Sequence, residues 1–227
     1  KLSAAELNVS AKTEVGGQIE GTYVYSPAAG TLLGAGSHTL KVTFVPANEV
    51  DYTGSQAEVV LAVQKAPLLI TADDAQKRYG EDNPDLSVSY SEFIVGESPD
   101  ALSQKPTLTT VADKSSSVGS YAITASGAAA ANYAISFKPG VLTVNQAIPV
   151  IDWSTPDDIV YGSVLSASQL GAIASTQGEL VYEPDIGTLL GAGDHSLTVG
   201  FTPSDAVNFK GATSSQTVSV RKAPLSI

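Results

Sequence analysis

Few residues in this chain could do chemistry. His38 and His195 are its two histidines, and each lies two residues beyond a Gly-Thr-Leu-Leu-Gly-Ala-Gly run. Asp194 beside His195 invites comparison with a catalytic triad, but Ser37 fills the matching place beside His38. Equivalent histidines more than a module apart in an extended chain share no metal and no active site, so they read as strand-start packing or hydrogen-bonding residues. Cysteine is absent, which removes disulfides, thiolate zinc sites, cysteine-ligated clusters and cysteine nucleophiles together. Neither a Gly-x-Ser-x-Gly elbow nor a His-Glu-x-x-His zinc motif occurs. The carboxylates offer more. Asp73-Asp74 and Asp157-Asp158 both precede a Tyr-Gly pair, and Glu81-Asp82-Asn83 follows the first of these pairs. Calcium takes six to eight oxygen ligands, so Asp73, Asp74, Asp157 and Asp158 are the candidate ligands of an ion locking a hinge. The same side chains equally cap turns through their own backbone, and no EF-hand spacing is present. Lys105, Asp113 and Asn132 fall in one stretch and contain the elements of a Lys–Asn isopeptide crosslink, though spacing alone does not bring them together. Asn8-Val9-Ser10 matches a glycosylation sequon.

Composition narrows the classes further. The 227 residues carry a net charge of −11, spread along the chain instead of clustered. That balance argues against nucleic-acid binding, which needs grouped Lys and Arg, and fits solubility and repulsion between neighbouring chains. No run of about 18 apolar residues is available to insert in a membrane. Lys1 to Ser10 lack the apolar core of a signal peptide.

An internal repeat organises the chain. Residues 25–46 and 182–203 align without gaps at an offset of 157, with 14 of 22 positions identical. The offset carries forward to pair Tyr52 with Phe209 and Lys65-Ala66-Pro67-Leu68 with Lys222-Ala223-Pro224-Leu225. Before an insertion near Gly16-Gly17 the offset becomes 163. The stretch between the copies differs but keeps their skeleton. Gly36-Ser37-His38, Gly119-Ser120-Tyr121 and Gly193-Asp194-His195 open a strand in each. Asp51-Tyr52, Asn132-Tyr133 and Asn208-Phe209 follow, and each segment ends 14 residues after the aromatic, at Ala66, Ala147 or Ala223. Tyr79-Gly80 and Tyr161-Gly162 mark the openings of the second and third. Tyr52, Tyr79, Tyr133, Tyr161 and Phe209 are therefore structural repeat positions.

Short runs of alternating apolar and polar residues, bounded by Gly, Pro, Asp and Asn, predict strands: His38 to Phe44, Tyr121 to Ala125 and Ser196 to Phe201. The best helix candidate, Ser3 to Val9, is one turn or two long. The expected fold is all-β: three tandem small Ig-like β-sandwich modules in an extended rod. The boundaries are 1–66 (lacking its first strand), 67–147 and 148–223, with 224–227 opening a further module. Proline at each short joint stiffens it, and strands of 7–10 residues per module give a rod of roughly 110 Å. An aromatic after Asn or Asp would plug a sandwich end, as a tyrosine corner does. The glycine-rich run would serve a tight connection needing positive φ.

These residues carry a resemblance. The middle segment, with Leu69 to Asp74, Tyr79-Gly80, Gly119 to Gly127 and Asn132-Tyr133, resembles the MBG domain of the YGX type. The flanking segments, with Trp153, Pro156, Tyr161-Gly162, Phe201-Thr202-Pro203 and Asn208-Phe209, are similar to bacterial Ig-like repeats. The resemblance implies long arrays in bacterial secreted or cell-surface proteins, an extracellular location, and a non-enzymatic stalk, spacer or filament role in an adhesin-like protein. It supplies no catalytic residue. The alternative is a module that binds a glycan or host protein through exposed aromatics such as Tyr90, Phe93 or Tyr133. An incomplete first module would expose a strand edge, so neighbouring copies of the array are expected partners through edge-strand pairing.

Overall fold

The computed structural model describes residues 1–225; Ser226 and Ile227, half of the anticipated opening strand of a further module, lie outside it. The chain is all-β, with one short 3-10 turn at Pro99–Ala101 as its only helical element among the described residues. It divides into two compact units.

The first unit takes Lys1–Ala72, Val88–Leu108 and Thr124–Pro139. Gly21–Ser26, Gly36–Pro46 and Ser55–Val63 form an antiparallel sheet with Gly36–Pro46 in the middle. A second sheet places Ala66–Ala72 between Val88–Ser91, antiparallel, and Tyr133–Lys138, parallel. Leu68, Ile70 and Ala72 are buried on one face of that central strand, the period-2 signature of a half-buried sheet.

The second unit takes Asp73–Ser87, Thr109–Ile123 and the residues from Gly140 on. Gly140–Asn145 runs parallel to Ala75–Arg78 and antiparallel to the start of Gly119–Ser126. A four-stranded sheet follows, in the order Ile159–Val160, Ala212–Arg221, Gly193–Pro203, Gly178–Glu183. Leu197, Val199 and Phe201 point inward from Gly193–Pro203 while Thr198 and Thr202 are exposed. Trp153, Leu165, Leu190, Leu197, Val199 and Val218 lead one core cluster. The ladders are not all antiparallel. The opening strands Ala75–Arg78 and Ile159–Val160 run parallel to closing strands, because alternation reports which faces are wet and carries no information on strand direction.

Ser3 to Val9 forms a turn, not a helix, closed by Leu7 N–H to Ser3 C=O at 3.3 Å. Its copy at Ser166 does the same, and both use a capping arrangement. Ser3 Oγ and N–H donate to Glu6 Oε2, and Ser166 Oγ and N–H donate to Gln169 Oε1. The Ser3 hydroxyl holds the Glu6 carboxyl below its ordinary value.

Glycine is required where the two copies begin their first long strand. A Cβ on Gly21 would run into the Phe44 ring and the Val45 carbonyl, and one on Gly178 into the Phe201 ring and the Thr202 carbonyl. Both obstacles are a strand backbone and a core ring, neither of which can yield cheaply. Gly178→Ala is expected to lower stability by about 1–3 kcal/mol, read as a lower urea midpoint with unchanged slope. Neutrality of that substitution would mean that the Gly178 strand is free to shift.

Candidate functional site: a repeated Asn-aromatic joint

The sequence-predicted repeat positions meet at two places built alike. In the first unit, Ala66 N–H donates to the Asn132 carbonyl at 2.9 Å. The Asn132 side chain reaches back, and its Oδ1 accepts from Ala35 N–H at 2.9 Å. Lys65 Nζ donates to the Ala130 carbonyl at 3.3 Å. In the second unit, Ala147 N–H donates to the Asn208 carbonyl, again at 2.9 Å. Asn208 Oδ1 accepts from Val118 N–H at 2.9 Å, and Gln146 Nε2 donates to the Ala206 carbonyl at 2.8 Å. Ala35 and Val118 each stand one residue before the strand-opening glycine, and Ala130 and Ala206 each stand two before the asparagine. The same three hydrogen bonds, in the same register, join one sequence segment to the late Asn-aromatic loop of the next at both joints.

The asparagine is held in place by its own loop. Asn208 is only 8 % exposed; its Nδ2 donates to Asp205 Oδ2 at 2.8 Å, while Asp205 Oδ1 accepts from the Val207 and Asn208 N–H groups. These bonds, led by that from the Asn208 side chain, hold the Asp205 carboxyl below the usual carboxylate range. The first copy has the identities exchanged. Asn48 Nδ2 donates to Asp51 Oδ2 at 2.8 Å, and Asn48 Oδ1 accepts from the Val50 and Asp51 N–H groups. An amide and a carboxylate can trade places because one donor and one acceptor are all the pair needs.

The aromatics next to these residues have three different surroundings. Tyr133 is 2 % exposed, its hydroxyl donating to Glu97 Oε2 and accepting from Ile94 N–H, with Phe93 edge-on at 5.5 Å. Burial, helped by Glu97, pushes its phenol up. Phe209 meets Tyr79, the tyrosine of the Tyr-Gly turn, edge to face at 5.3 Å. Tyr52 is 41 % exposed and Tyr161 51 %. Tyr90, Phe93 and Tyr133 form one packed cluster, which withdraws Tyr133 from any exposed aromatic platform.

The remaining candidates lie elsewhere. Asp73 accepts from Ser87 Oγ at 2.7 Å, and Asp74 Oδ1 accepts from Val141 N–H at 2.8 Å. Asp158 pairs with Arg221 at 3.7 Å, beside an exposed Asp157. Among the described residues, no three His, Asp or Glu side chains converge as a metal-binding group. Each histidine donates from Nε2 to the glycine carbonyl four residues earlier, Gly34 or Gly191, at 2.8 Å. Asn132 serves the joint, and Asp113 lends its backbone carbonyl to the buried Lys77 ammonium. Lys77 also donates to the Glu81 carbonyl at 3.0 Å; sequence reasoning missed it, since a lysine in an alternating run reads as outward-facing.

A family match falls on the middle of the chain. Residues 68–143 match the MBG domain (YGX type). That is one third of the chain, and it falls inside the segment whose Tyr79-Gly80 and Asn132-Tyr133 suggested the resemblance. No curated protein matches the chain. Among solved structures, Drosophila N-cadherin EC1-3 is 9 % identical, over 85 % of this chain and 79 % of that one, at a TM-score of 0.27. Drosophila N-cadherin EC1-4 is 10 % identical over 85 % of this chain and 60 % of its own, at 0.23. The endo-fucoidan hydrolase MfFcnA4 from glycoside hydrolase family 107 is 14 % identical over 84 % of this chain and 34 % of its own, at 0.20. These scores are too low to imply a shared fold.

Proposed function

We propose that the chain is a non-enzymatic structural segment, a stalk or spacer of a bacterial cell-surface or secreted adhesin-like protein. In this reading two Ig-like modules, 1–66 and 148–223, flank the MBG-type module 67–147. The observation that carries it is the joint built twice with the same three hydrogen bonds. A chain that merely tethers independent domains has no need to fix each boundary, since a flexible linker does that without hydrogen bonds. Spending hydrogen bonds on the boundary itself is what a spacer of set length requires. The MBG match fits a surface location, and no helix among the described residues is long and apolar enough to cross a membrane, which leaves β-barrels unaddressed.

Small-angle scattering tests the reading. The wild type should give a maximum dimension near the ~110 Å expected from strand lengths, with the narrow profile of a stiff particle. Asn132→Ala with Asn208→Ala should broaden that profile by freeing both joints. A wild-type profile already as broad as that of the double variant would remove the spacer reading.

A further inference from the structure

Gly21–Ser26 is the outer strand of its sheet, paired on one side only, with Gly36–Pro46. Ala47 N–H donates to the Glu20 carbonyl at 2.9 Å just before the strand begins. Backbone bonding alternates along an antiparallel pair, so Thr22, Val24 and Ser26 bond inward to Gly36–Pro46. The N–H and C=O groups of Tyr23 and Tyr25 then face the open side, where among the described residues no group from another element bonds to them. The insertion near Gly16-Gly17 does not cover this side, because it closes on itself through the Lys12–Gln18 bridge and Thr13 N–H to the Gly17 carbonyl. The third segment shows that the open side belongs to the module. Its opening strands, Ile151–Asp152 and Ile159–Val160, pair with Ile173–Ala174 and Ala212–Arg221, and Gly178–Glu183 still ends its sheet.

The two edges differ in charge. Gly178-Glu179-Leu180-Val181-Tyr182-Glu183 carries a carboxylate near each end, whereas Gly21-Thr22-Tyr23-Val24-Tyr25-Ser26 carries none. Charged side chains are a common guard on exposed strand edges. Antiparallel pairing of each strand with its own copy, in the register that matches all six residues, shows what the charges do. About Val181 it sets Glu179 opposite Glu183 and Glu183 opposite Glu179, and like charges directly opposite are destabilising. About Val24 it sets Thr22 opposite Ser26, with no charge on either side. The third-segment edge therefore repels itself and the first-segment edge does not.

We propose that Gly21–Ser26 is a dimerisation edge, onto which the same strand of a second copy of the chain adds antiparallel about a two-fold axis through Val24. Tyr23 N–H would donate to the Tyr25 carbonyl of the second copy and Tyr25 N–H to its Tyr23 carbonyl, with both bonds returned by symmetry. That satisfies the open-side groups of the two tyrosines through main-chain strand addition. On the outer face Val24, 56 % exposed in one chain, would meet its own copy across the axis, where side chains of a non-bonded pair come closest. On the inner face each Tyr23 would lie beside the Tyr25 of the other copy, extending the stack that Tyr23 and Tyr25 already make at 6.4 Å and the contact of Tyr23 with Phe44 at 5.0 Å. The pairing lies within the first unit and goes beyond the spacer reading, standing whether or not the chain is a spacer.

Sedimentation velocity on the full chain tests it, carried to about 1 mM, where weak pairing of two short edges becomes visible. The wild type should pass from monomer to dimer with concentration and stop there, since an isologous contact closes on itself. Thr22→Glu with Ser26→Glu copies the third segment, so the fold accommodates both. It should raise the dissociation constant about tenfold by setting like charges opposite at both ends of the pairing. Thr22→Glu with Ser26→Lys sets opposite charges in the same places and should dimerise at least as well as the wild type. If the first double variant fails to fold, Val24→Glu places a carboxylate against its own copy on the axis and reads the same edge. Amide exchange at Tyr23 and Tyr25 should slow as the dimer forms, while Thr22 and Val24, already bonded within the sheet, should not change. A wild type that stays monomeric or grows past dimers would overturn the proposal. So would equal affinity in the two double variants, or a dimer that leaves exchange at Tyr23 and Tyr25 untouched.

Discussion

Replacing Trp153 with alanine will destabilise the core of the third segment by about 3–5 kcal/mol, the usual cost of deleting a large buried ring. Trp153 is buried in the cluster formed with Leu165, Leu197, Val199 and Val218. Its ring meets Tyr182 edge-on at 5.6 Å, and its indole N–H donates to the Gln169 carbonyl at 3.0 Å. Gln216 Nε2 in turn donates to the Trp153 carbonyl. One residue therefore ties the capped turn at Ser166, through its indole, to the closing strand of the sheet, through its carbonyl. The first segment supplies the comparison, because none of its described residues places a tryptophan over the same face. Tyr25, Leu40 and Val42, the counterparts of Tyr182, Leu197 and Val199, line an open groove of about 390 Å³. Val42 and Leu61 are only half-buried where Val199 and Val218 are sealed. Trp153→Ala should move the third segment toward that state, with faster hydrogen exchange at Leu197 and Val218. Trp153→Phe, which keeps a ring but leaves the Gln169 carbonyl without its donor, should cost about 1–3 kcal/mol. A melting curve for Trp153→Ala within about 1 kcal/mol of wild type would show that the cluster repacks without the indole.

Much of the architecture is legible in the residues because repeats and alternation are direct consequences of packing. Leu197, Val199 and Phe201 alternate with Thr198 and Thr202 since one sheet face is buried, and that pattern survives in any representation of the chain. Gly30, Gly36, Gly187 and Gly193 take positive φ in both copies, as the glycine-rich run suggests. Strand direction is not legible. The parallel pairing of Ile159–Val160 with Val220–Arg221 depends on a chain crossing that no local pattern encodes.

The joint was half legible. The alignment marks Asp51, Asn132 and Asn208 as equivalent, but the partner of each asparagine is a backbone N–H on Ala35 or Val118, and a backbone donor leaves no trace in residue identity. The readable signal was the exchange of Asn48/Asp51 for Asp205/Asn208. Two substitutions that each break a hydrogen bond alone, and restore it together, mark side chains in contact. The capping residues Glu6 and Gln169 left a similar trace, since both can accept from a serine three residues earlier. Tyr133 and Phe209 differ in what they meet: Tyr133 packs against Phe93 and donates to Glu97, whereas Phe209 meets Tyr79.

That exchange leads to the second large effect. Asn208→Asp will destabilise the second unit by about 1–3 kcal/mol, and adding Asp205→Asn to it will recover most of the loss. The single change keeps an acceptor for Val118 N–H but turns the donor facing Asp205 into a second carboxylate, so that like charges meet where a hydrogen bond stood. The double change writes the Asn48/Asp51 arrangement into the third segment, with the donor now at position 205. Contacting residues are where additivity fails, and thermal melts of the two single variants and the double variant read that coupling directly. The pH dependence gives an independent check. In the wild type Asp205 titrates below the ordinary carboxylate range, held there by Asn208. Its stabilising contribution is thus complete above the unfolded value of about 4 and is lost as pH falls through the lower folded value. In Asn208→Asp the facing carboxylates raise one another, which reverses the sign: the deficit is largest at neutral pH and shrinks as acid protonates one of the pair. A single variant whose deficit is the same at pH 7 and at about pH 4 would mean that the two side chains do not face each other. A double variant no more stable than Asn208→Asp would mean that the loop tolerates only one order of amide and acid, and that Asn48 and Asp51 hold a different geometry.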